Sequence, residues 1–286
     1  MEYATPMTLL QALILAITQG ITEPFPVSSL GHAVLLPSLL HWSLDQHSPF
    51  FLPFLTMLHV GTLVALAHVF WSDWVGIIRG IGGLDGTRGR TQALHLCIRL
   101  VVATIPAVII GGLFEHHLRA IFATPLAVAS FLTLNGVLLL ATEWRLKRTS
   151  SPTLRDIAQL SLKDAFIIGC WQCLALLPGL SRSGATINGG LTRGLSALAA
   201  TRFSLLLAQP IILAATAKET WQMRHLSLST SIIEQSLIGA VIAGLTALIC
   251  SRLLLRFFNE EDNKALTPFG IYCIIAGIGS GLWLAL

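Results

Sequence analysis

Charged side chains are scarce in this chain. Asp, Glu, Lys and Arg make up 11% of its 286 residues, where a soluble domain carries about a quarter, so a water-covered globular surface is excluded. Strand-length alternation of polar and apolar residues is missing as well, which excludes a transmembrane barrel. The opening stretch Met1–Pro6 has no Lys or Arg, and no small-x-small site follows Leu9–Ile17; both absences argue against a cleaved secretory signal. There are five cysteines, and Cys97, Cys250 and Cys273 lie inside apolar runs. Cys170 and Cys173 form a C-x-x-C, but Trp171 and Gln172 between them continue a hydrophobic helical segment. Neither a disulfide framework, a redox pair nor a cysteine metal site is expected.

What is present is apolar length. Hydrophobic residues are 54% of the chain, mean hydropathy is +0.75, and the runs Phe50–Trp71, Leu94–Phe114, Ile121–Thr142, Ile232–Phe258 and Thr267–Leu286 each reach the ~20 residues that cross a bilayer as a helix. The net charge of +4 does not read as nucleic-acid affinity, because its carriers sit in particular loops. Stretches 72–95, 143–164 and 252–264 hold three, five and three Lys or Arg, whereas 41–50, 115–120 and 218–231 hold only Arg119, Lys218 and Arg224. Positive loops face the cytoplasm.

Two apolar segments do not fit this threading as spans. Leu9–Leu40 is interrupted by Glu23-Pro-Phe-Pro-Val-Ser-Ser-Leu-Gly-His32, and Ala165–Leu198 by Pro178-Gly-Leu-Ser-Arg-Ser-Gly-Ala-Thr186. Each must begin and end on one side, and each half is too short to cross. The expected fold is therefore an all-α polytopic membrane protein with six transmembrane helices and two re-entrant helix–loop–helix hairpins, the first entering from outside and the second from the cytoplasm. The order hairpin, three spans, hairpin, three spans makes an inverted-topology repeat within one integral membrane domain, 1–286. Its halves run approximately 1–145 and 160–286. Sites in such folds form where the broken helices meet.

The broken segments carry the polar chemistry. The first has Gln19, Glu23, Ser28, Ser29 and His32; the second has Ser181, Arg182, Ser183, Thr186 and Asn188. Ionisable groups at membrane depth are costly and mark functional sites. A glycine-rich turn opening a helix near Ala185 offers free N–H groups and a positive dipole end to a phosphate. Arg182 adds a bidentate clamp, and Ser181, Ser183 and Thr186 add hydroxyl donors. In the first segment, Ser28 and His32 share a helical face at i, i+4, and Ser29 and His32 at i, i+3. Ser28, Ser29, His32 or a water is the nucleophile, and Glu23 orients the histidine, acts as base, or holds a cation. The plainer alternative is a structural Glu23–Arg182 staple, which needs no cluster of hydroxyls beside it. His59 and His68 read as core residues, and Arg99 as snorkelling at a span start.

At these motifs the sequence resembles the undecaprenyl-pyrophosphate phosphatase family, the bacitracin-resistance proteins. The family's first motif reads here as Gln19-Gly-Ile-Thr-Glu23 followed by Pro26-Val-Ser-Ser-Leu-Gly-His32, and its second stands intact from Pro178 to Thr186. The resemblance implies a bacterial inner-membrane hydrolase that removes the terminal phosphate from undecaprenyl pyrophosphate, recycling the lipid carrier of cell-wall synthesis and conferring bacitracin resistance. It also implies a site open to the periplasm and a need for Mg²⁺ or Ca²⁺. Glu23, Ser29, His32 and Arg182 would then be catalytic, and Ser28, Ser181, Arg182, Ser183 and Thr186 would bind the pyrophosphate. Glu23 is the one metal ligand implied, with Gln19 nearby where many members have Glu. The expected partners are the bilayer and the polyprenyl pyrophosphate lipid, not nucleic acid, with a homodimer left open. A transporter or flippase is the rival reading, since broken helices in inverted repeats also build transporters, but passive transport has no obvious use for a Ser–His–Glu set. The phosphatidic-acid-phosphatase class needs a Lys-rich first motif and a late Ser-Arg…His-x-x-x-Asp, and the chain has neither.

Overall fold

The computed structural model describes residues 7–42, 44, 51–122, 124–148, 154–225, 229–260 and 266–286, the side chains of 115–122 excepted. Arg119, Lys264 and the N-terminal stretch Met1–Pro6 invoked above thus lie outside the described side chains. Helices α1 (Leu9–Thr22) and α2 (Ser29–Leu39) form a first broken pair, followed by α3 (Phe51–Val69), α4 (Trp71–Ile81), α5 (Gly86–Phe122) and α6 (Pro125–Arg148). A second broken pair, α7 (Leu162–Gln172) and α8 (Arg182–Thr192), precedes α9 (Ala197–Met223), α10 (Thr230–Glu260) and α11 (Thr267–Ala285). No strand forms among the described residues; an isolated parallel bridge joins Arg155 and Leu195.

Helices α3, α5, α6, α9, α10 and α11 are long and apolar enough to cross a membrane, so the chain is a multi-pass membrane protein. The four helices of the broken pairs have 11 to 14 residues, at most about 21 Å, short of a ~30 Å hydrocarbon core. Local signals fix where they start. Thr8 and Gln11 make a reciprocal capping box at α1, and Ser161 and Asp164 make another at α7. Ser28 and Ser181 accept from Gly31 N and Gly184 N at the starts of α2 and α8.

Two loop expectations are corrected. Stretch 72–95 is mostly helical: α4 packs on the first turns of α5, with Gly80 against Ala93, and Asp73 of α4 pairs with Arg202 of α9 at 3.0 Å. Its glycines and charges read as a loop because Arg202, the partner of Asp73, comes from distant sequence. Likewise α6 runs to Arg148 and α10 to Glu260, carrying helix into segments assigned to loops.

The spans pair closely, as membrane helices do through small residues. Helix α3 packs on α10, α6 on α11, α1 on α10 and α7 on α5. At Gly61 of α3 any Cβ would overlap the Ala240 carbonyl of α10. Glu143 is buried on α6 and accepts from Leu266 N (2.9 Å) and Thr267 Oγ1 (2.6 Å), capping α11, while Lys147 neutralises it at 2.6 Å. At the loop end of α7, outside the six spans, Asp164 pairs with Arg193 (2.7 Å) and Arg155 (3.1 Å). Burial alone would raise its carboxyl, but hydrogen bonds from Arg193, Ser161 and Arg155 outweigh it and hold Asp164 at about 2. Arg99 donates to the Ala158 carbonyl at 3.1 Å, so it ties down the segment before α7.

Candidate active site

The turns of the two broken pairs meet. Glu23, the C-terminal residue of the α1 cap, is buried and ringed by donors. Its Oε1 accepts from Arg182 Nη2 at 2.9 Å. Its Oε2 accepts from Gln19 Nε2 at 3.0 Å and from Ser29 Oγ at 2.6 Å. Arg182, the first residue of α8, uses Nη1 to reach the Ser204 carbonyl of α9 at 3.3 Å. Its side chain is 15% exposed, that of Glu23 6%. The sequence-expected Glu23, Ser29 and Arg182 are thus in direct contact, with Gln19 at their edge.

The other expected residues are placed differently. Ser28 has φ +67°, a strained conformation for a residue other than glycine. Its hydroxyl turns back to Gly31 N at 3.2 Å. The Ser28 and Ser29 hydroxyls thus bond Gly31 N and Glu23 rather than the imidazole. His32 Nδ1 instead meets the Ser28 carbonyl at 2.6 Å, and Nε2 meets Tyr272 Oη of α11 at 2.7 Å. Ser181, Ser183 and Thr186 are buried and engaged with protein: Ser183 Oγ donates to the Phe25 carbonyl at 2.7 Å, Ser181 Oγ lies 3.0 Å from Ser183 Oγ, and Thr186 Oγ1 lies 2.6 Å from Ser204 Oγ. Gly179 makes the second turn possible, with φ +103° and a position where a Cβ would overlap the Val128 carbonyl.

Two residues that sequence reasoning passed over complete the arrangement. His59 of α3, read as core, presents Nε2 3.6 Å from Glu23 Oε2 while its Nδ1 meets the Leu55 carbonyl at 2.9 Å. Asn135 of α6 bridges the turns: its Oδ1 accepts from Ser181 N at 3.1 Å, and its Nδ2 donates to the Pro26 carbonyl at 2.9 Å, with Cys273 Sγ at 3.3 Å. The available signal for Asn135 was its being the one amide in the run Ile121–Thr142. His59 gave none, since its partner lies on another helix.

Among the described residues no three His, Cys, Asp or Glu side chains cluster to hold a metal. One carboxylate with an amide and a hydroxyl beside it does fit a hard cation that takes most of its shell from phosphate and water. The two charges in contact, Glu23 and Arg182, balance one another, so an incoming phosphate gains Arg182 only as the guanidinium leaves the carboxylate. A carboxylate hydrogen-bonded to a hydroxyl, beside a guanidinium at a helix start, can activate that hydroxyl against a phosphate held by the guanidinium.

The family model described as bacitracin resistance protein BacA matches residues 12–279. A protein of Gluconobacter oxydans named undecaprenyl-diphosphatase is 66% identical over 275 residues, covering 96% of this chain and 98% of its own. Proteins of the same name from Gluconacetobacter diazotrophicus and Granulibacter bethesdensis are 53% and 48% identical, covering 95% and 97% of this chain and the same shares of their own.

Proposed function

We propose, from the premise that this chain belongs to the bacitracin resistance protein BacA family, that it hydrolyses undecaprenyl diphosphate to undecaprenyl phosphate and inorganic phosphate. It is a membrane hydrolase of acid anhydrides acting on a lipid. We place it in the bacterial inner membrane, in two inverted halves of approximately 1–145 and 160–286, with its site toward the periplasm. The positive loops and the two broken pairs support that orientation. Its partners are the bilayer and the lipid, without nucleic acid, and a homodimer is the oligomer to test for.

The observation that carries the mechanism is the 2.6 Å contact from Ser29 Oγ to Glu23 Oε2. Ser28, Ser181, Ser183 and Thr186 engage backbone groups or other hydroxyls, while Ser29 hands its proton toward a carboxylate. The terminal phosphate binds where α8 begins, and Arg182 turns from Glu23 to clamp it. Backbone N–H groups of the Ser181–Gly184 turn, with the Ser183 and Thr186 hydroxyls behind it, hold the turn's shape. Ser29 Oγ attacks the terminal phosphorus, Glu23 takes its proton, and the bond to the bridging oxygen breaks with its electron pair leaving on undecaprenyl phosphate. Water then attacks the phosphoserine, giving its proton to His32 Nε2. Ser29 departs, recovers its proton from Glu23, and inorganic phosphate leaves; His32 returns its proton to solvent. One water is consumed. A Mg²⁺ or Ca²⁺ ion, when bound, supplies positive charge to the phosphate oxygens; Glu23, with Gln19 beside it, would hold it.

The test is phosphate release from a C55 or C15 isoprenyl diphosphate by detergent-purified protein, with Mg²⁺ or Ca²⁺ and then EDTA. Cation-dependent release lost in Arg182→Ala and Ser29→Ala is expected. No release from folded wild type overturns the hydrolase, and substantial turnover in Ser29→Ala overturns the serine's role.

A further inference from the structure

Both nitrogens of His32 are engaged. Nδ1 lies 2.6 Å from the Ser28 carbonyl, which only accepts, so Nδ1 carries a hydrogen. In the neutral ring Nε2 is then a lone pair, and the Tyr272 hydroxyl, 2.7 Å away, donates to it. The two rings stack nearly parallel, 7° apart with centroids at 5.7 Å. A phenol is both donor and acceptor, so it also suits a protonated Nε2 without moving.

The position of Tyr272 is set by its helix. At Gly136 of α6 a Cβ would lie 2.5 Å from the Gly270 carbonyl of α11, and at Gly277 it would meet Thr133 of α6. These close approaches hold α11 against α6. Cys273, the next residue, is buried with Sγ 3.3 Å from Asn135 Nδ2, the residue that bridges the two turns. The rotation that buries Cys273 carries Tyr272 to α2, where its side chain stays partly open, the residue being 46% exposed. Burial does not compel the contact.

We propose that Tyr272 is a positioning residue for His32: the Ser28 carbonyl keeps Nδ1 protonated, and the phenol with its stacked ring holds the imidazole so that the Nε2 lone pair lies where the water of the second step, taking the phenol's place, gives up its proton. This rests on the reading of His32 as the proton acceptor. The bland alternative is a tyrosine that merely satisfies its hydroxyl on a convenient neighbour.

Tyr272→Phe in the full-length protein keeps the stacked ring and removes only the hydroxyl. Loss of one hydrogen bond to the acting group corresponds to about two- to tenfold in kcat, with KM unchanged. Nitrogen chemical shifts of histidine-labelled protein should show the Nε2 signal of His32 moving toward that of an unbonded lone pair, while Nδ1 stays protonated on the Ser28 carbonyl. In a His32→Ala background, Tyr272→Phe should slow turnover no further. Unchanged kcat and an unchanged Nε2 shift in Tyr272→Phe, with His32→Ala impaired, overturn the proposal alone. Fully additive losses in the double variant do the same. Wild-type turnover in His32→Ala overturns the His32 reading, and this proposal with it.

Discussion

Replacing Glu23 by Gln should separate binding from turnover. In the free protein the Glu23 carboxylate meets Arg182 at 2.9 Å with both side chains largely out of solvent. Removing one partner of such a buried pair leaves the other uncompensated, at a cost of about 3–5 kcal/mol. A bound pyrophosphate supplies the missing negative charge, and it no longer faces a carboxylate across the site. Both effects favour the ligand. Since each 1.4 kcal/mol is tenfold, recovering even half of the lower figure tightens binding by about tenfold. Turnover moves the other way, because the base for Ser29 is gone, and general-base removal costs about 10²–10⁴-fold. The assay is calorimetric titration of Glu23→Gln and wild type with a non-hydrolysable methylene-bridged isoprenyl diphosphate, in EDTA so that a cation held by Glu23 does not confound the comparison. Phosphate release is measured in parallel with Mg²⁺. Binding no tighter than wild type, or kcat within tenfold of it, would refute the reasoning that one carboxylate both restrains Arg182 and activates Ser29.

Further expectations follow from the two supporting polar centres. Asn135→Leu orphans the buried Ser181 N–H and leaves the Pro26 carbonyl only the long Cys273 thiol contact; at about 1–3 kcal/mol for an unsatisfied buried group this should lower Tm in detergent and cut kcat, while the helical circular dichroism at low temperature stays intact; equal Tm would remove Asn135 from its bridging role. Asp164→Asn should lower Tm by a few degrees at pH 7. Because the folded carboxyl lies near 2, below its unfolded value of about 3.9, that stabilisation is complete above the unfolded value and fades as pH falls toward 2. Thermal unfolding followed by tryptophan fluorescence at pH 7 and pH 3 should show the variant's deficit shrinking, and a deficit independent of pH would contradict the ion-pair account.

Much of this was legible because membrane proteins write their constraints into local stretches. Five of the six spans show as apolar runs, the sixth, α9, following from the threading; the broken pairs show as runs too short to cross, and the meeting of Glu23 with Arg182 follows from charges that have no other refuge. The i, i+3 and i, i+4 spacing did place Ser28, Ser29 and His32 together at the start of α2, but not their hydrogen bonds: Ser28 has a positive φ as the helix cap, Ser29 turns to Glu23, and His32 bonds the Ser28 carbonyl and Tyr272. His59, Asn135 and Tyr272 were not legible as a set. Each is one polar group among several in its span, and its significance depends on how that helix is rotated against a partner far away in sequence. Glu143 belongs with them: within its own segment it is an acid among lysines and arginines, and only the packing of α6 on α11 makes it a helix cap.

The site's bonds span long stretches of chain: 159 residues from Glu23 to Arg182, 109 from Pro26 to Asn135 and 240 from His32 to Tyr272. During synthesis the first broken pair therefore reaches the bilayer with a carboxylate whose counterion has yet to be made. A lone carboxylate is costly at membrane depth, so the seat of the first broken pair in the bilayer depends on α8, which carries the counterion. The last span then delivers the histidine's partner. Until α11 is in place, therefore, the paired Glu23 and Arg182 lack the Tyr272 hydroxyl beside His32.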